Sequence, residues 1–237
     1  MATIYVVRHG QASFGAANYD QLSKLGCRQA EVLGHYFRDC DIQFDAVYSG
    51  DLQRQQKTAQ LAISSQATMP EHHIDSRFNE IQNDEQIQYL LPEIIKSQPS
   101  IKALVDSGAK DSKSFQKMVE ASFNFWVSEQ CRDERIQSWT DYSSGVRAAM
   151  QDAMAANGSG KTIGIFASGG TIATIVAQVL GLGGEHTYRF YEPVINCSVS
   201  QLFYSQGGRK VSLSYFNDHS FLDVLGRQMN ESLVTYR

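Results

Sequence analysis

Short apolar runs and amphipathic stretches alternate along the chain, and this alternation predicts an α/β layer fold with a mostly parallel central sheet. Thr3–Val7 is an unbroken β-branched and aromatic run, the pattern of a strand buried on both faces. Ser23 is placed to cap a helix in which Leu25, Ala30, Leu33 and Phe37 recur at near-helical spacing. Asp45–Tyr48 reads as a second strand, Leu52–Ile63 as a helix and His72–Asp75 as a third strand. From Asn83 to Glu134 the pattern is helical, in pieces over Asp84–Lys96, Ser100–Ser107 and Ser114–Glu129. Phe115, Met118, Val119, Ser122, Phe123 and Trp126 make a stripe that is read as core-facing rather than as the wall of a pocket, and Tyr142 is read the same way. Residues 83–140 are therefore expected to form a helical insertion over the site, within a single domain spanning 1–237. Asp141–Ala156 is a further helix, ended by Asn157-Gly158. Strand Thr162–Phe166, a Ser-Gly-Gly turn and helix Thr171–Leu180 follow. Ile195–Tyr204 and Lys210–Tyr215 read as closing strands of a hairpin around Gln206-Gly207-Gly208.

One apolar stretch invites a different reading. Thr162–Leu182 runs 21 residues without a charge, long enough to span a bilayer. Gly169-Gly170 splits it into a β-rich half and a helical half, and Ser168 and Gln178 interrupt it. A buried strand running into a helix fits better than a membrane span. Arg8 and His9 break the only early apolar run, so no signal peptide is expected and a cytoplasmic location is. Apolar residues make up 42% of the 237 positions, enough for one sizeable core. With 21 Lys+Arg against 25 Asp+Glu the net charge is −4, and no basic tract is present. Non-specific nucleic-acid binding, which relies on phosphate neutralisation, is thereby disfavoured. Cys27, Cys40, Cys131 and Cys197 lie far apart, without a CxxC pair or a His at ligand spacing. They are read as reduced, mostly buried residues, and no metal or other cofactor is expected. The pattern carries no signal for an oligomeric state.

Three constellations lie just beyond strands, where open α/β sheets place their sites. Arg8-His9-Gly10 ends the first strand. It offers planar guanidinium donors for an oxyanion and an imidazole that can act as a nucleophile. The segment from Ser49 to Ala59 follows the second strand and enters a helix whose first amides and dipole suit an anion, with Arg54 one turn in. Arg77-Phe78-Asn79-Glu80 follows the third.

Together with Leu22-Ser23 to Gly26, Gln29-Ala30, Gly169-Gly170-Thr171, Asn196-Cys197-Ser198-Val199 and Phe216 to Leu222, these segments occur in an order that resembles the histidine phosphatase superfamily, with its phosphoglycerate mutase-like fold. The resemblance spans nearly the whole chain. It implies a three-layer α/β sandwich and metal-independent hydrolysis of a small phosphorylated substrate through a phosphohistidine on His9. Arg8 and Arg54 would clamp the phosphoryl group, and Glu80 would serve as general acid and then base. One position departs from the pattern. The family carries a second histidine before the Gly-Gly, and here Ser168 stands there. Ser168, Gly169 and the following amides are left to hold the phosphoryl oxygens. Loss of an electrostatic donor costs about 10² to 10³ in rate, so a catalytically weakened phospholigand-binding or regulatory protein is the alternative reading. His219 is the first candidate for a compensating imidazole, whereas His72 and His73 are read as structural. A phosphoglycerate mutase is disfavoured because Gly15 falls where mutases of the family carry an asparagine. Ser168 to Ala173 also looks like an asparaginase motif with Thr171 as its hydroxyl, but it comes late in the chain and after the phosphatase elements.

Overall fold

A computed structural model describes residues 2–13, 19–108, 111–205 and 210–236. Its centre is a six-stranded sheet in the order β3-β2-β4-β1-β5-β6. The strands are β1 (Ala2–Arg8), β2 (Ala46–Ser49), β3 (Glu71–Ile74), β4 (Thr162–Ala167), β5 (Val199–Tyr204) and β6 (Val211–Asp218). β3, β2, β4 and β1 run parallel, and β5 joins β1 antiparallel. The carboxyl ends of four strands therefore share one edge, and the segments expected to carry chemistry leave from it.

Side-chain alternation builds the layers. On β1, Ala2, Ile4 and Val6 enter one apolar cluster, while Tyr5 and Val7 enter the other. Ile163, Ile165 and Ala167 of β4 join the first, and Phe166 joins the second. Helices α1 (Lys24–Asp39), α2 (Gln53–Ile63) and α9 (Ser220–Met229) cover the second cluster. The other face is covered by α3 (Asn83–Ser97), α4 (Pro99–Asp106), α5 (Ser112–Trp126), α6 (Trp139–Asn157), α7 (Gly169–Val179) and the short α8 (Tyr188–Tyr191). This is the expected three-layer α/β architecture. On α5, Met118, Val119, Phe123 and Trp126 are buried, and Phe123 and Trp126 pack edge-on against each other and against Trp139.

Several expectations change. β5 starts at Val199, not Ile195, because Cys197 adopts a left-handed conformation (φ 56°) and turns the chain before the ladder begins. α7 starts at Gly169, two residues early, with extended Ser168 before it. α9 was not anticipated; its apolar face buries Phe221 and Leu222, and Asn230 ends it in the left-handed region (φ 56°). Gln206-Gly207-Gly208 and Gly15 lie outside the described residues. Among the cysteines only Cys197 is buried; Cys40 is exposed because it terminates α1 at the surface, and Cys27 and Cys131 are partly covered. Among the described residues no helix is long and apolar enough to cross a membrane.

Glycines let α1 approach the loop after β1 backbone to backbone. A Cβ on Gly26 would lie 2.1 Å from the Gln11 carbonyl oxygen, and one on Gly10 would lie 2.4 Å from that of Gly26. Both obstacles are main chain. Gly26→Ala is expected to cost about 1–3 kcal/mol of stability, measured as a lower urea midpoint. An unchanged midpoint would show that the loop can retreat at no cost.

Candidate active site

β1 delivers His9 to the shared sheet edge, with the ring 4% exposed. The loop is anchored by His9 N donating to the Ala167 carbonyl and by Asn196 Nδ2 donating to the His9 carbonyl. Nδ1–H donates to the Gly10 carbonyl at 2.7 Å, and Nε2 accepts from Arg54 Nε at 3.2 Å. This pair of bonds selects one neutral tautomer, with the Nε2 lone pair on the cavity side of the ring. Burial holds the His9 pKa well below 6.5; the charges of Arg54 and Arg8 act in the same direction, and the Gly10 carbonyl opposes them.

α2 positions Arg54 in its first turn. Its Nη1 donates to Asp20 Oδ1 at 2.7 Å, and its guanidinium lies 5.4 Å from the Tyr19 ring centroid. Asp20 Oδ2 also accepts from Gln53 N, so the helix start expected to offer free amides already holds a carboxylate. Arg8 donates through Nη1 to the carbonyls of Val194 and Tyr236, the latter at 2.8 Å.

Glu80 enters from the loop after β3. Its Oε1 accepts from Gly170 N and from Ile81 N, both at 2.9 Å. Burial raises its pKa above 4.5 despite opposing contributions from Arg54, Ile81 N–H, Arg8 and Gly170 N–H. Gly170 N is the second amide of α7, so Glu80 occupies the donor that the sequence left open for an anion. Ser168 is fully buried, and its Oγ accepts from Gln55 Nε2 at 2.8 Å. Gly169 lies under Tyr191 and Arg8, where an added Cβ would meet the Tyr191 ring at 3.0 Å and Arg8 Nε at 3.8 Å.

Arg8, His9, Arg54 and Glu80 line one cavity of about 550 Å³, together with Tyr19, Ile81, Phe115, Tyr191 and Tyr236. Carboxylates Asp84, Glu85 and Glu192 stand on its wall. The structure thus brings four of the six expected residues to the cavity, and Ser168 and Gly169 do not line it. His219 is elsewhere, at the start of α9, with Nδ1–H on the Asn217 carbonyl. Thr171 is buried and donates to the Asn79 carbonyl at 2.7 Å, which leaves it unavailable as an exposed hydroxyl. His72 Nε2 meets Ser49 Oγ at 2.9 Å, and His73 stacks on Tyr48. Among the described residues no three His, Cys, Asp or Glu side chains are placed to hold a metal ion. Sequence reasoning missed Asp20, Gln55 and Thr58, although the last two flank Arg54 in its own motif. Thr58 Oγ1 accepts from Gly10 N and so braces the His9 loop.

Comparisons with known proteins bear on the family and the fold. A profile described as the histidine phosphatase superfamily (branch 1) matches residues 4–116 and 105–217. A 2,3-bisphosphoglycerate-dependent phosphoglycerate mutase of Allorhizobium ampelinum is 33% identical over 69 residues, covering 27% of this chain and 33% of the mutase. A broad-specificity phosphatase of Saccharomyces cerevisiae is 35% identical over 75 residues, covering 28% of this chain and 33% of the phosphatase. The chain thus spans about a third of the length of each of these curated relatives. Among solved structures, Bacillus stearothermophilus YhfR superposes with a TM-score of 0.66 at 19% identity, over 93% of this chain and 99% of that one. A phosphoserine phosphatase of Entamoeba histolytica, in complex with phosphoserine, gives 0.64 at 19%, over 94% and 100%. A phosphoglycerate mutase of Bacillus anthracis gives 0.63 at 20%, over 93% and 94%. These likenesses establish the phosphoglycerate mutase-like fold. With the profile covering most of its length, the chain belongs to the histidine phosphatase superfamily.

Proposed function

We propose that the protein is a metal-independent phosphomonoesterase acting through a phosphohistidine at His9 Nε2. The observation that carries this reading is the convergence of a neutral imidazole, two guanidiniums and a carboxyl of raised pKa on one cavity. Arg54 turns its Nε–H from His9 to a phosphoryl oxygen as substrate enters, and Arg8 supplies the second cation. The Nε2 lone pair attacks phosphorus, the bond to the substrate alcohol breaks, and Glu80 gives its proton to the departing oxygen. Glu80, now a carboxylate, takes a proton from water as that water attacks the phosphohistidine. Inorganic phosphate leaves and His9 is neutral again. Positioning and charge stabilisation carry most of the barrier reduction in such transfers.

The wall chemistry supports hydrolysis over mutase action. Among the described lining residues the cations are Arg8 and Arg54, set against Asp84, Glu85 and Glu192. A bisphosphate held and reoriented there would bring a second anion toward carboxylates. A second reading, a phospholigand-binding protein with little turnover, draws on one observation: of the groups expected to hold phosphate at α7, Gly170 N already donates to Glu80, and Ser168, whose Oγ accepts from Gln55, does not line the cavity. Hydrolysis of an aryl phosphate in EDTA, lost in His9→Ala, is the expected result. Saturable phosphate or vanadate binding without His9-dependent turnover would favour the second reading.

The pH dependence has a defined sign. kcat/KM reports the free enzyme. Its acid limb, where His9 gains a proton, is expected below 6.5, and its basic limb, where Glu80 loses one, above 4.5. Glu80→Gln is expected to remove the basic limb. An acid limb at or above 6.5 would contradict the buried, cation-flanked His9.

A further inference from the structure

We propose that Gln55 is a positioning residue for Glu80, acting by keeping Ser168 from capping its own helix. The inference deepens the phosphatase reading above and rests on it for the role of Glu80. Gln55 is fully buried, one residue after Arg54 on α2. Its Nε2 donates to the Phe78 carbonyl at 3.0 Å and to Ser168 Oγ at 2.8 Å. A single carboxamide therefore ties the Arg54 helix to the Phe78–Glu80 segment and to the start of α7. Its Oε1 fits into the space beside Gly50, where an added Cβ would lie 2.0 Å from it.

Ser168 stands at the position where a serine ordinarily accepts from the second or third helical amide. Here its side chain makes no capping bond, because its oxygen is drawn to Gln55. The second amide, Gly170 N, is taken by Glu80 Oε1 instead. Glu80 thus caps α7 in place of the serine, and the cap fixes one carboxyl oxygen in the cavity wall. Thr171 Oγ1, donating to the Asn79 carbonyl, holds the preceding peptide. Without Gln55, Ser168 Oγ is free to rotate onto Gly170 N and displace Glu80. Arg54 of α2, Arg8 of β1, Tyr142 of α6 and Tyr191 of α8 also face Glu80.

The test compares the wild type, Gln55→Met, Ser168→Ala and the double variant on an aryl and an alkyl phosphate. General-acid assistance matters most for the alkyl ester, whose leaving oxygen is the stronger base. Gln55→Met is expected to lower kcat/KM, which stops at phosphoryl transfer and so omits the dephosphorylation step common to both esters, about 10²-fold on the alkyl ester, the scale of a misplaced catalytic group, and only about threefold on the aryl ester. The double variant, with no serine to compete, is expected to regain at least about tenfold on the alkyl ester. Equal losses on both esters, or no recovery in the double variant, would overturn the proposal. A carbon-13 titration of the Glu80 carboxyl, assigned with Glu80→Gln, reads the same event without turnover. Losing the Gly170 bond is expected to move its midpoint upward in Gln55→Met and back in the double variant. A midpoint unmoved in a folded Gln55→Met protein would also overturn it. If wild-type turnover does not depend on His9, the hydrolase reading fails, while the carboxyl titration still decides the role of Gln55.

Discussion

Replacing His9 by alanine is expected to lower turnover of any phosphate monoester by about 10⁴-fold or more, the scale seen when a nucleophile is removed. The geometry explains why no neighbour can substitute. Nε2 is the unprotonated nitrogen, presented to the cavity by a ring whose other nitrogen is tied to the Gly10 carbonyl. His219 and His72 are engaged elsewhere, on the Asn217 carbonyl and Ser49. Phosphate binding is expected to persist in His9→Ala, because Arg8 and Arg54 remain. Steady-state hydrolysis combined with phosphate titration by calorimetry checks both parts. Turnover within tenfold of the wild type, in a correctly folded variant, would place the nucleophile somewhere else.

Glu80→Gln is the second large effect. The amide keeps the shape and can still accept from Gly170 N, but it has no proton to give in the first step and cannot take one in the second. A fall of about 10² to 10⁴ is expected on an alkyl phosphate. An aryl phosphate needs less help with its leaving group, so its first step should suffer less and the block should shift to hydrolysis of the phosphoenzyme. A burst of the aryl alcohol followed by slow release of phosphate is the kinetic signature. Equal losses of kcat/KM on both esters would mean that the proton comes from another group.

Much of this arrangement was legible before the fold was known, and the parts that were not share a cause. β1 announced itself because a strand buried on both faces must be apolar throughout, and Ala2, Ile4 and Val6 do feed one core while Tyr5 and Val7 feed the other. Arg8, His9, Arg54 and Glu80 were marked by segments at or just past strands that reach the same edge, and their roles by the resemblance to the family. Ser23 was placed correctly as a cap, since its oxygen accepts from Gly26 N three residues on, a purely local bond. The donors at the starts of α2 and α7 were misjudged because their occupants are remote in sequence: Asp20 for α2 and Glu80 for α7. The tie between Ser168 and Gln55 escaped notice for the same reason, the two being 113 positions apart. α9 was overlooked because it begins almost where β6 ends, after a left-handed Asn217 (φ 59°), and no loop separates the two periods.

The account turns on a covalent bond between His9 Nε2 and phosphorus. Rapid mixing with a labelled aryl phosphate, followed by alkaline denaturation and peptide mapping, tests that bond directly. A phosphoryl group should be found on His9, absent from His9→Ala and accumulated in Glu80→Gln. Turnover at full rate with no label on the protein, or with label retained in His9→Ala, would contradict the account.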